Sequence, residues 1–225
     1  MIYAILQPAA LLGMLAAFLL GLSVRATFQV WLAARLLRYR VGSPAPNPRR
    51  DVDPFGAIAA VLGGTGWGRA APLPETYGFA GPSGKRVAVL LAGPLPVIAL
   101  GLAVLLGYRA GYPSGILDYL YPSDVLRGVS GPVAQQFLVT LGVGLLCFGV
   151  LALVPLPPLD GWFLMWQAIR RPGEGAQKAR FWLEERNIGV LILLVAVSFP
   201  IGTPVPLALM LLDLLVHPLM RLVAA

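Results

Sequence analysis

The chain has 225 residues, is 58% hydrophobic and only 12% charged, and has a mean hydropathy of +0.79. A soluble domain is nearer half apolar and a quarter charged, so this composition excludes an ordinary soluble protein and indicates an integral membrane protein. The net charge is +7. Because basic residues beside membrane spans set topology and meet anionic lipid, this charge is not a sign of nucleic-acid binding.

The first apolar segment, residues 2 to 24, is long enough to cross a bilayer. It lacks a basic leader and a cleavage site, so we interpret it as a retained span, with a kink predicted at Pro8. Residues 38 to 86 are rich in glycine and proline and predict an irregular cytoplasmic segment. Within that segment, residues 55 to 62 form an apolar stretch too short to span, which is either a re-entrant or interfacial piece or a short strand.

Further apolar segments predict the remaining spans, at residues 87 to 108, 133 to 154, and 187 to 222, the last being broken or a hairpin. The predicted fold is one all-α, multi-pass membrane domain over residues 1 to 225, with about four to six membrane helices. Lysine and arginine concentrate in the segment after the first span and in residues 160 to 186. The positive-inside rule therefore places both segments in the cytoplasm and the N-terminus outside the cell membrane.

Four short motifs follow one another along the chain, and their order is informative. They are Arg-Arg-Asp-Val-Asp-Pro-Phe-Gly at residues 49 to 56, Gly-Trp-Gly-Arg-Ala-Ala-Pro at 66 to 72, Ala-Gly-Pro at 92 to 94, and Val-Pro-Leu-Pro-Pro-Leu-Asp-Gly at 154 to 161. Together they resemble the short bacterial site-2 proteases, a family of intramembrane zinc metalloproteases, over roughly residues 15 to 170. The residues that carry this resemblance are Asp53, Pro54, Gly56, Gly93, Pro94, Pro157, Pro158, Leu159 and Gly161.

The resemblance implies a His-Glu-x-x-His motif on the first helix, with two zinc-binding imidazoles and a glutamate base, and Asp160 as the third zinc ligand. In this chain the corresponding positions hold Arg25, Ala26 and Gln29. A guanidinium repels a metal ion and an alanine accepts no proton, so we predict no catalytic residue and no cofactor. Zinc would be expected only if other residues replaced these ligands.

Arg25 and Asp160 suggest what stands in place of a metal, because a charge at membrane depth needs a partner. Our hypothesis is an ion pair between them, with Gln29 one turn from Arg25, that occupies the vestigial site. The alternative is that Arg25 reaches the membrane interface while Asp160 caps the helix that follows it. Asp213 and His217 share a helix face and are weak metal candidates together with Asp160, the alternative being a local hydrogen bond.

The sequence therefore predicts a catalytically inactive site-2 protease-like protein of the cell membrane. We expect it to act as a structural or accessory subunit in a hetero-oligomer with other integral membrane proteins, in contact with membrane lipids and not with nucleic acid. Three alternatives stay open at this point. They are an active intramembrane zinc metalloprotease with displaced ligands, a non-cleaving binder of transmembrane helices, and a small transporter or channel.

Overall fold

The computed structural model describes residues 1, 4–37, 45–69, 84–112, 117–169 and 172–224. Within these residues the chain is helical, and its only β-type pairing is an isolated bridge between Val52 and Gly68. Three stretches of the described chain are long and apolar enough to cross a membrane, namely Pro8–Leu36, Gly84–Gly111 and Val133–Ala152. The predicted all-α membrane fold is confirmed.

Eleven α-helices are described. In chain order they are α1 Pro8–Leu36, α2 Pro48–Asp51, α3 Pro54–Gly63, α4 Gly84–Leu91, α5 Pro94–Gly111, α6 Pro122–Arg127, α7 Val133–Ala152, α8 Asp160–Ala168, α9 Glu174–Arg180, α10 Ile188–Ser198 and α11 Leu207–Ala224. A π-helical turn, Phe181–Glu185, extends α9. Parts of the predicted cytoplasmic segments, residues 38–44, 70–83, 170 and 171, lie outside the described residues.

Helix α1 begins at Pro8, later than the start of the apolar segment at residue 2, and it continues to Leu36, as the helical pattern beyond residue 24 predicts. Proline at the first helical position lacks only an N–H that would have no helical partner, so it starts a helix without bending it. The kink predicted at Pro8 is therefore wrong. The apolar region after residue 187 consists of two helices, α10 and α11, and the 11 residues of α10 are too few to cross a bilayer alone.

The apolar stretch between residues 55 and 62 is helix α3, so the alternative of a strand is wrong. The Asp53 carboxylate starts this helix by accepting hydrogen bonds from the backbone N–H groups of Phe55 at 2.8 Å and Gly56 at 3.0 Å. Pro54 follows at the first helical position, and Gly64 ends the helix in the left-handed conformation with φ of 88°. The Asp-Pro-Phe-Gly motif is thus a helix start signal.

Helix α7 lies at the centre of the fold and packs against both α1 and α5. From Val139 to Ala152 each of its residues is buried. Small residues let the helices approach closely, as they do in membrane proteins generally. Gly13 of α1 faces Phe137 and Thr140 of α7, and Gly144 of α7 faces Ala17 of α1.

Replacing Gly13 by alanine tests this close approach. The added Cβ would lie 2.7 Å from the Phe137 carbonyl oxygen, a backbone atom that cannot rotate away. We expect Gly13→Ala to lower the free energy of unfolding by about 1 to 3 kcal/mol. Gly107→Ala on α5 is the matched control because nothing lies within 4 Å of its added Cβ. Thermal unfolding in detergent should separate the two variants, and equal midpoints would contradict the packing described.

Candidate functional site

The turn before α8 fixes Asp160 at the end of the central helix. Residues 153 to 159 form this turn, and the peptide bond between Pro157 and Pro158 is cis. Leu159 is buried, and Gly161 lies so close to the Leu153 carbonyl that a Cβ there would overlap it. The Pro-Pro-Leu-Asp-Gly motif therefore folds the chain back tightly and directs Asp160 into the interior.

Arg25 of α1 meets Asp160 in a bidentate ion pair. Its Nε donates to Oδ2 of Asp160 at 2.7 Å and its Nη2 donates to Oδ1 at 2.7 Å. The side chains of Arg25 and Asp160 are 6% and 0% exposed. Because the guanidinium is buried and both carboxylate oxygens bind it, the alternative in which Arg25 reaches the interface and Asp160 serves as a helix cap is wrong.

A third hydrogen bond ties this pair to the segment after α3. Nη1 of Arg25 donates to the backbone carbonyl of Arg69 at 2.7 Å. That carbonyl is held in place because the N–H of Arg69 donates to the Asp51 carbonyl at 3.0 Å and Val52 bridges to Gly68. Gly56 also packs directly on the Trp67 carbonyl. The first two sequence motifs thus form one unit that braces Arg25, as far as residue 69; residues 70–72 of the second motif lie outside the described residues.

Gln29 is buried one turn from Arg25 but has a different partner. Its Nε2 donates to the Leu90 carbonyl of α4 at 3.4 Å. A Cβ on Gly93 would lie 2.8 Å from Cδ of Gln29 and 2.9 Å from Cγ of Arg25. Gly93 is therefore required where α4 ends, and Pro94 starts α5. Gln29 joins α1 to α4 and makes no described hydrogen bond to Asp160.

The described contacts of Asp213 and His217 are with residues other than Arg25, Asp160 and Gln29. The Asp213 carboxylate accepts hydrogen bonds from the backbone N–H of Ser123 at 2.7 Å and from its Oγ at 2.6 Å, at the start of α6. The His217 ring lies 4.4 Å from the Tyr121 ring, centroid to centroid. Among the described residues no three His, Cys, Asp or Glu side chains form a group that could hold a metal ion. The local hydrogen bond considered for this pair is not seen among the described contacts, because Asp213 bonds to Ser123, 90 positions away, and His217 contacts Tyr121.

The corner around Asp160 offers a poor set of donors for zinc. A catalytic zinc ion takes about three protein ligands and leaves one position open for water. At this corner Ala26 supplies no ligand atom, Arg25 supplies a cation, and both Asp160 oxygens already accept from that cation. The residues present at this corner do not fit a zinc ion.

Sequence reasoning missed the cavity beside the ion pair. It measures about 220 Å³ and is lined by Leu22, Arg25, Ala26, Gln29, Val30, Arg50, Asp51 and Arg69. In the sequence Arg50 and Arg69 lie within the first two family-like motifs and among the basic residues of the predicted cytoplasmic segment, and neither property indicates a cavity.

Removal of Arg25 tests the ion pair. Arg25→Ala should lower the free energy of unfolding by about 3 to 5 kcal/mol because the Asp160 carboxylate would be buried without its partner. The Arg25→Ala/Asp160→Ala double variant should lose less than the sum of the two single changes. Chemical or thermal unfolding in detergent measures both quantities. Arg35→Ala, at an exposed position of the same helix, is the control, and the pairing is refuted if Arg25→Ala unfolds at the same midpoint as Arg35→Ala.

Comparison with known proteins gives one informative similarity. The chain is 29% identical over 157 residues to a Bacillus subtilis protein named "Putative zinc metalloprotease YwhC", and the match covers 70% of this chain. It spans 65% of the length of that relative. No protein-family profile matches the chain. No solved structure matches it.

Proposed function

We propose that this chain is a site-2 protease-like membrane protein that has no peptidase activity and serves as an accessory subunit for other integral membrane proteins. Its similarity to the Bacillus subtilis protein supports a site-2 protease-like chain, and three apolar helices support a membrane location. The observation that carries the loss of activity is the bidentate ion pair between Arg25 and Asp160.

The chemistry of peptide hydrolysis explains why that pair matters. A metalloprotease needs an electrophilic metal, a bound water and a base to accept the proton of that water. Ala26 stands where the motif resemblance expects the base, and an alanine accepts no proton. Arg25 places a fixed positive charge where a ligand would stand, and its two bonds to Asp160 compete directly with any metal for the carboxylate.

The accessory role is supported by what the chain presents to its surroundings. Helix α11 exposes large apolar side chains, with Leu214 at 70% and Leu222 at 74% exposure. Lipid or the helices of another membrane protein would cover such a surface. A role as a non-cleaving binder of transmembrane helices is less well supported, because a cavity of about 220 Å³ is smaller than ordinary ligand pockets. In this proposal the N-terminus is outside and the segments after α1 and from α8 to α9 are cytoplasmic.

Metal content and cleavage distinguish this proposal from an active zinc metalloprotease. We expect the chain purified in mild detergent to hold no stoichiometric zinc by elemental analysis and to leave a helical transmembrane test substrate intact. The triple variant Arg25→His/Ala26→Glu/Gln29→His supplies the missing ligands and base, and it should gain zinc. Arg25→His alone is the matched control and should not gain it. Stoichiometric zinc in the unaltered chain that is lost in Asp160→Asn would establish the metalloprotease instead.

The accessory role has its own test. In mild detergent the unaltered chain should migrate with a second membrane protein at a fixed ratio after size-exclusion chromatography. Leu214→Ala and Leu222→Ala together should weaken that association because they remove exposed apolar surface on α11. The same changes should leave the unfolding midpoint nearly unchanged. A chain that migrates alone, at the mass of a monomer in its micelle, would contradict the role.

A further inference from the structure

We propose that the cavity beside Arg25 binds the phosphate group of an anionic membrane lipid. This inference goes beyond the accessory role, and it rests on the cavity together with the membrane location and orientation of the proposed function. The cavity has a mixed lining. Helix α1 contributes the apolar side chains Leu22, Ala26 and Val30, which recur at intervals of four residues, together with Arg25 and Gln29. Arg50, Asp51 and Arg69 contribute further charged side chains.

The charges of the described residues around the cavity do not cancel. Asp160 offsets the charge of Arg25. Asp51 offsets that of Arg50, whose Nε lies 2.6 Å from Oδ1 of Asp51. Nε of Arg69 donates to the neutral carbonyl of Val52 at 3.2 Å, and Arg69 forms no described ion pair. Three arginines against two carboxylates leave the site with a net positive charge, which favours an anion and disfavours a cation.

The polar groups at the cavity are also suited to a phosphate. Arginine presents N–H groups in a planar fork that matches phosphate oxygens, and it has no acceptor to repel them. Nη1 and Nη2 of Arg25 each carry a second N–H beyond the bonds already described. The Gln29 amide lines the same space. An anion with several oxygens can therefore accept from more than one of these side chains at once.

The surroundings of the cavity favour a lipid over a soluble anion. An acyl chain beside α1 would contact exposed apolar side chains such as Phe28 and Trp31, each 44% exposed, whereas a soluble phosphate gains nothing from them. The membrane interface also lies close by, because the exposed ring of Trp31 follows on the same helix and Arg35 stacks on it at 4.5 Å. Basic pockets between membrane helices near the cytoplasmic face are suited to anionic headgroups. The occupant inferred is therefore an anionic phospholipid.

Lipid retention by the full chain tests this inference. The purified protein is exchanged into mixed micelles of phosphatidylglycerol and phosphatidylcholine, and bound lipid is counted by native mass spectrometry. We expect phosphatidylglycerol to be retained selectively and Arg69→Gln to reduce its retention about fivefold. Arg35→Gln, which removes the same charge from an exposed position outside the cavity, is the matched control and should retain it as the unaltered chain does.

Three results would overturn the inference. Equal retention of both lipids would show that the cavity does not select a net negative charge. If Arg69→Gln and Arg35→Gln lost phosphatidylglycerol retention equally, the lipid would be held by the diffuse positive charge of the surface and not by the cavity. Displacement of phosphatidylglycerol by millimolar inorganic phosphate would make the ligand a soluble anion. Unfolding midpoints of the two variants, expected to match that of the unaltered chain, exclude a loss caused by misfolding.

Discussion

The buried contact between Arg25 and Asp160 is the constraint on which the arrangement of the other parts depends. It joins α1 to the start of α8, and through the Arg69 carbonyl it also fixes the segment after α3. Taking two charges out of water is costly, and such a pair need not add net stability relative to apolar residues. The pair instead selects one packing of the helices, because any packing that separates the two side chains leaves an unpaired charge at membrane depth.

In the proposed function, the arginine supplies from within the chain the positive charge that a metal ion would otherwise bring to the aspartate. Around Asp160 the backbone allows neighbouring groups to approach closely at three glycines, and this does not depend on whether a guanidinium or a metal ion faces the aspartate. Gly93 admits Gln29, Gly161 admits the Leu153 carbonyl, and Gly56 admits that of Trp67. These contacts depend on missing Cβ atoms and not on ligand chemistry, so the turn motifs can form beside positions that carry no metal ligand.

The sequence predicted much of this fold because hydropathy and motif order are properties of the chain itself. Hydropathy located the long membrane helices, and the resemblance brought Arg25 and Asp160 together across 135 positions. Hydropathy did not settle whether the short apolar run in α3 is helical, since so short a run has no decisive period. The partner of Gln29 and the carbonyl bonded to Arg25 depend on tertiary neighbours, which no local pattern encodes. The cavity could not be predicted for the same reason, since its lining residues come from separate parts of the chain.

Structural and binding roles fall on different arginines at this corner. Arg25 is buried and bound to Asp160, so its loss affects folding before it affects any ligand. Arg69 holds Arg25 through its backbone carbonyl, which a side-chain substitution leaves in place, while its guanidinium is exposed at the cavity. A change at Arg69 therefore alters the charge of the site without removing the ion pair. This division allows ligand binding to be separated from stability in a chain where both depend on the same helix.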